Sequence, residues 1–218
     1  GVPADDFVAI AEHLARRFPH KERLTAYGRA ATAWRQRREL SRLRAAGLDR
    51  LHVGLETGDD ALLRFHEKGI SQRRMIDACR AIVDAGIELS LYVLLGIGGR
   101  DRWRQHVEGT VAALNAIRPH FIRFRRLWIH PRAPLRGPMR GGEFVPQTPE
   151  GTVVETRDIL AGLDPGLRAE VECMHHNDYV KFHGQLPGDR GAILGALDGF
   201  LALPDADREA IYRVPSAI

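Results

Sequence analysis

Cysteine is scarce in this sequence of 218 residues: Cys79 and Cys173 are the only two, and they stand far apart. That excludes a disulfide framework and fits a reducing, cytoplasmic setting. Lysine is also scarce, with Lys21, Lys68 and Lys181 the only three among 32 basic residues. The net charge is +4, yet aromatics make up only 7% of the chain and no interleaved aromatic platform accompanies the charge. No stacking platform for nucleic acid is therefore legible. The arginine excess is read as base composition, with a nucleic-acid partner kept as a minor alternative. No apolar run approaches the roughly 18 residues of a membrane-spanning helix, so no membrane partner is expected. No basic segment followed by an apolar one opens the chain, so secretion is not expected. What is present is ordinary for a globular domain: 44% hydrophobic and 28% charged residues. That length buries a sizeable core without metal or disulfide staples.

An internal near-repeat organises the first half. LRAAGLDRLHVGLETG at 43–58 and IVDAGIELSLYVLLGIGG at 82–99 follow the same plan. Each ends a helix at an Ala-Gly pair that suits a C-cap, then runs into an apolar strand that ends in glycine. The pairs Ala46-Gly47 and Ala85-Gly86 are 39 residues apart, about the length of one βα unit. A third round is expected as a helix over 101–117 and a strand over 120–127. Upstream, Phe7, Ile10, Leu14 and Phe18 have helical spacing. A strand over 23–27 and a helix over 35–46 follow. Strands alternating with helices predict parallel strands joined by crossovers. The nearly apolar runs 51–55 and 87–95 predict strands covered on both faces. From about residue 131, Pro, Gly and Arg dominate and a linker begins. Helices are expected at 149–163 and 190–203. The division is thus 1–130, a set of βα units, and 131–218, a linker and extension packed on it. A closed eight-stranded barrel takes about 200–250 residues of βα units, more than this pattern spans. The chain opens inside a helix with no first strand before it, so it reads as N-terminally truncated.

Parallel α/β folds place their chemistry at the C-terminal ends of strands. That rule selects Tyr27 and Arg29, then Glu56, Thr57 and Gly58, then Tyr92, Gly96, Gly98 and Gly99, and last Trp128 and His130. Glu56 ends an apolar strand between Gly54 and Gly58; a carboxylate there can take a ligand's hydroxyls or ammonium. The competing reading is an acid favoured at a helix N-terminus. Lys68 closes the following helix, where the dipole alone favours a cation. Gly96-Ile97-Gly98-Gly99 lacks the third glycine of a dinucleotide fingerprint, since Asp101 stands there. It is read as a turn that a cofactor approaches. Arg123 and Arg125 share one face opposite Phe124, either the barrel interior or the helix side. His175, His176, Asn177, Asp178 and His183 do not have zinc spacing and are read as structural polar contacts.

Taken together these residues resemble the radical S-adenosylmethionine (SAM) superfamily, of the Fe–S oxidoreductase type. The similar text is Tyr27-Gly28-Arg29, Ala46-Gly47-Leu48, His52-Val53-Gly54-Leu55-Glu56-Thr57-Gly58, Lys68-Gly69, Ala85-Gly86-Ile87, Gly96-Ile97-Gly98-Gly99, His106 and Pro119-His120-Phe121-Ile122-Arg123. It covers roughly 5–135. Gly184, Leu186, Pro187 and Asp189 in the tail resemble the C-terminal extension of the same group.

The resemblance implies an α/β partial TIM barrel, an incomplete (β/α)6 barrel, with a mainly helical C-terminal extension. It implies SAM as cofactor, with Glu56 at its ribose or amino group and Lys68 at its ribose or carboxylate. Tyr92 falls where some members carry a ribose-binding acid. Gly96, Gly98 and Gly99 fall near the adenine, and Tyr27 and Arg29 near the methionine moiety or the substrate. Arg123, Arg125 and His130 are candidates for the substrate. The CxxxCxxC loop that holds a 4Fe-4S cluster is absent, so metal ligands are expected only in an intact parent. There, reductive SAM cleavage gives a 5′-deoxyadenosyl radical; this chain alone is expected to be inactive. Asp178 stands where the family has asparagine in His175-His176-Asn177-Asp178-Tyr179. The alternatives are a catalytically dead remnant and a non-radical TIM-barrel enzyme.

Overall fold

The computed structural model describes residues 2–212. The chain runs α1 (Ala4–Arg17), β1 (Leu24–Gly28), α2 (Ala30–Arg35), α3 (Leu40–Ala45), β2 (Leu48–Glu56), α4 (Asp60–Phe65), α5 (Gln72–Asp84) and β3 (Glu88–Leu95). It continues through α6 (Trp103–Ile117), β4 (Phe121–Arg126), α7 (Arg136–Arg140), α8 (Pro149–Gly162), β5 (Ala169–Cys173), β6 (Phe182–Leu186), α9 (Arg190–Leu201) and α10 (Asp205–Tyr212). The six strands form one sheet in sequence order. The first five are parallel, and β6 returns antiparallel to β5. The parallel strands are those that the alternation of elements predicts, and the architecture is the α/β partial TIM barrel that the resemblance implies.

The local signals act as read. Gly47 and Gly86 take positive φ (106° and 74°) after α3 and α5, the backbone that an L side chain resists. Asp59, Ser71 and Thr148 cap α4, α5 and α8 by accepting from the backbone three residues on. Three expectations are corrected. The helix expected at 35–46 is only α3 (Leu40–Ala45), separated by turns at 36–39 from α2, which ends at Arg35. The segment 168–188 contributes two strands, so the sheet continues past residue 130. Nor are β2 and β3 covered by helices on both faces. Helices α2, α5, α6, α8 and α9 pack side by side in strand order as a single layer. They cover Leu51, Val53, Leu89, Leu91, Val93, Ile122, Phe124 and Val171, all at most 8% exposed. The residues between these point to the opposite face. They are Arg50, His52, Ser90, Tyr92, Arg123, Arg125 and Glu172, and their polarity is what the apolar runs concealed.

Candidate functional site

The open face and the C-terminal ends of its strands meet at Glu56. It takes φ +64°, a left-handed value for a residue that is not glycine. The β2–β3 register shifts between Gly54 and Glu56 at this point. Left-handed backbone at such a residue costs about 1–3 kcal/mol and concentrates at functional sites. The kink folds the carboxylate back over Gly54, where an added Cβ would lie 2.2 Å from Glu56 Oε1. Lys68 arrives from the end of α4, after a turn, and sets its Nζ 3.1 Å from the same oxygen. The turn is held by His66, whose Nε2 donates to the Ile97 carbonyl at 2.9 Å. Residues 56, 68 and 97 are thereby brought to one rim.

Deeper in the face, three rings cross three strands. Tyr27 stacks on His52 at 4.8 Å and faces Tyr92 at 6.4 Å, and the two tyrosine hydroxyls are 3.5 Å apart. Arg125 stands 5.3 Å over the Tyr92 ring. Arg123 donates to Ser90 Oγ at 3.1 Å and pairs with Glu172, which also accepts from Arg125 at 2.9 Å. Of the two faces open to the arginines, they lie on the one away from the helices. Burial pushes the Glu172 carboxyl up, but the hydrogen bond from Arg125 and the charges of Arg123 and Arg125 outweigh it and hold it below the usual value. Burial, then the charges of Arg123, Arg50 and Arg23, push His52 down. Burial and the Tyr27 hydrogen bond push Tyr92 up.

Behind the rim lies a buried polar layer. Glu155 of α8 is fully buried and accepts from Gly96 N at 2.6 Å and Gln147 Nε2 at 3.0 Å. His106 of α6, also fully buried, sets Nδ1 3.0 Å from Thr57 Oγ1, and its Nε2 has no hydrogen-bond partner among the described residues. Glu155 and His106 stand 3.9 Å apart but do not form an ion pair at neutral pH. Burial lowers the imidazole to about 3 and raises the carboxyl to about 7. The glycines of the adjoining turn are accounted for by protein packing. An added Cβ would lie 2.7 Å from Arg102 O at Gly98 and 2.5 Å from Val145 O at Gly99, and Gly96 takes φ +82°.

The remaining candidates lie apart. Arg29 is exposed as the N-cap of α2. His130 is exposed, with Nδ1 accepting from Arg132 N at 3.0 Å. His175 donates its backbone N–H to Asp178, and its ring lies 4.0 Å from that of His176. His183 bonds Glu170 at 3.0 Å. Among the described residues no three His, Cys, Asp or Glu are grouped to hold a metal, and no helix is long and apolar enough to cross a membrane. A cavity of about 700 Å³ opens at the N-terminal strand ends, lined by Arg23, Arg44, Asp49 and Glu88. It lies at the opposite end from Glu56; of its lining charges, Arg44 pairs with Asp49, and Glu88 pairs with the neighbouring Arg50. Reading by strand ends missed His52, Glu172, His106 and Glu155; the period-2 alternation of Ala169, Val171 and Cys173 was the available signal for Glu172.

The family model described as Radical SAM superfamily matches residues 3–108. No curated protein is significantly similar. Among solved structures, the archaeal Elp3 of Methanocaldococcus infernus with an N-terminal deletion of residues 1–46 superposes with a TM-score of 0.60 at 14% identity. The match covers 81% of this chain and 42% of that one. Methylornithine synthase (PylB) superposes with a TM-score of 0.54 at 16% identity, over 95% of this chain and 66% of that one. The chain thus spans less than two thirds of the length of either, and the likeness is one of fold.

Proposed function

We propose that this chain is a member of the radical SAM superfamily, whose family model matches residues 3–108, and that its open sheet face forms part of an S-adenosylmethionine site held by Glu56 and Lys68. The observation that supports this reading is the strained Glu56, folded over Gly54 onto Lys68. A carboxylate and an ammonium pair with each other at 3.1 Å. A ligand that carries ribose hydroxyls or an ammonium together with a carboxylate offers each of them a replacement partner. SAM has all of these groups, so the donor set fits it. When bound, SAM supplies a sulfonium whose carbon–sulfur bond a single electron can cleave. The role of the chain's own residues is to bind and orient: Glu56 and Lys68 grip the polar groups, and the His66–Ile97 bond sets the rim.

An iron–sulfur cluster does not fit these residues. Such a cluster takes closely spaced, accessible thiolates. Cys79 and Cys173 are both buried on separate elements. Burial raises the Cys79 thiol to about 12, and burial with Asp178 raises Cys173 well above its ordinary value. The proposal therefore puts the cluster ligands outside these residues, and this chain alone binds without cleaving.

Calorimetric titration of the full-length protein with SAM tests the reading. Glu56→Gln should weaken binding by about 1–3 kcal/mol, the cost of a lost charge-assisted hydrogen bond. Unchanged affinity would remove Glu56 from the site. Reconstitution of this chain alone with iron and sulfide should give no 4Fe-4S absorption; a band would contradict the assignment of the cluster elsewhere.

A further inference from the structure

The open face carries a second set of groups that the Glu56–Lys68 pair leaves unused. Tyr27, His52 and Tyr92 form a ladder of rings with interplanar angles of 23°, 13° and 36°. Tyr27 is 77% exposed, a large ring standing at a strand end with most of its surface open. Beside the ladder, two guanidinium groups converge on one carboxylate: Arg123 and Arg125 both pair with Glu172. One positive charge is left over. The neighbouring acids do not cancel it, because Glu88 is matched by Arg50 and Glu56 by Lys68. Glu170, two positions down β5, bonds His183 and Gln185 and neither arginine. Of the two arginines, Arg123 is also tied to Ser90, while Arg125 lies over the Tyr92 ring and donates to the Phe124 carbonyl at 2.7 Å. In the middle of the ladder, His52 adds a buried Nδ1 with no hydrogen-bond partner among the described residues.

We propose that this face binds a planar conjugated organic monoanion, in the simplest case an aromatic carboxylate, with its ring on the Tyr27–His52–Tyr92 ladder and its charge on Arg125. Aromatic rings prefer offset stacking against one another, and tyrosine and histidine present such faces here. A guanidinium is the group best shaped for a carboxylate. A single surplus charge suits a monoanion rather than a phosphate dianion. The inference names the substrate class of the enzyme proposed above. It rests on that reading only for calling the ligand a substrate; the binding stands on the ladder and the arginines.

Three probes of one size separate the contributions: benzoate, cyclohexanecarboxylate and benzamide, each titrated into the full-length protein by ligand-observed NMR. Benzoate should bind about fivefold tighter than the alicyclic acid, the worth of stacking. It should bind about tenfold or more tighter than the neutral amide, the worth of a charged hydrogen bond. Tyr27→Leu, at an exposed position where folding is not at stake, should erase the preference for the aromatic ring. Arg125→Gln should erase the preference for the anion, with an unchanged thermal midpoint as its fold control. Glu56→Gln should keep both preferences while losing SAM, which separates this site from the cofactor reading. Benzoate binding in this pattern by a protein that does not bind SAM would uphold the site and reject the cofactor. Equal binding of the three probes, indifference to both Tyr27→Leu and Arg125→Gln, or no benzoate binding beside intact SAM binding would overturn the proposal.

Discussion

On one face of the sheet, Leu89, Leu91, Val93, Ile122 and Phe124 are completely buried beneath the helices. On the other, one position along each strand, stand Ser90, Tyr92, Arg123 and Arg125, joined by hydrogen bonds and ion pairs and by no helix. The alternation of a single strand serves both. Phe124 sits between the two arginines in sequence, yet it packs toward Phe182 at 6.0 Å on the far side. The fold is therefore held by one set of positions and the polar network by the set between them, so damage to one should leave the other largely intact. The sharpest break of this comparison is Phe124→Ala. A truncated buried phenylalanine costs about 3–5 kcal/mol, through lost transfer energy and the cavity left behind. The exposed Tyr27→Leu should change stability by no more than about 0.5 kcal/mol. Urea denaturation measures both, and equal losses would erase the distinction between the faces.

A second break tests the layer behind the rim, where the groups are buried yet ionisable. His106 is held neutral, with its value lowered from 6.5 to about 3, so the unfolded chain binds the proton more tightly. Its contribution to stability is present above pH 6.5 and is lost as the pH falls toward 3. Glu155 is the reverse. Its value is raised from 4.5 to about 7, so its contribution is present below pH 4.5 and is lost as the pH rises through 7. Between pH 4.5 and 6.5 the two slopes oppose each other, each up to about 1.4 kcal/mol per pH unit. The pair should therefore add little net pH dependence there. Glu155→Gln should unmask the His106 slope, with stability rising with pH. His106→Gln should unmask the opposite slope. Denaturation midpoints measured across that window check the signs, and two variants with the same slope would refute the assignment.

These two layers were not equally legible from the sequence. The rim was: a carboxylate after an apolar strand and a lysine at the end of the next helix follow from local pattern, and the fold sets them 3.1 Å apart. The Ala-Gly repeats marked two helix ends because only a residue without a Cβ takes the required φ cheaply. Glu172 was not legible. Its partners lie 47 and 49 residues away, and β5 is five residues long. The alternation of AEVEC allows a strand, but only β4 lying beside it gives Glu172 its partners. Glu155 and His106 look like ordinary helical polar residues, because burial of a charge is set by the neighbouring helix. The glycine turn was readable as a turn, but its partners were not. Val145 and Gln147 reach it from a segment whose sequence reads as linker, and Thr152 from the first turn of α8.

The finest test compares two glycines four residues apart. At Gly58 an added Cβ would lie 2.0 Å from the Gly109 carbonyl oxygen, which is backbone and cannot swing aside. Gly58→Ala should cost about 1–3 kcal/mol as α6 is pushed from the end of β2. At Gly54 the obstacle is 2.2 Å away but is Glu56 Oε1, the tip of a flexible side chain. Gly54→Ala should change stability by less than about 1 kcal/mol, because the carboxylate can rotate away. That rotation has a consequence the first substitution lacks: Glu56 leaves Lys68, and the proposed cofactor site loses its preset pair. Denaturation and SAM titration of both variants should therefore rank them in opposite order, Gly58→Ala worse for the fold and Gly54→Ala worse for binding relative to its fold cost. If Gly54→Ala left SAM affinity intact, the position of the Glu56 carboxylate over Gly54 would carry no meaning for the site.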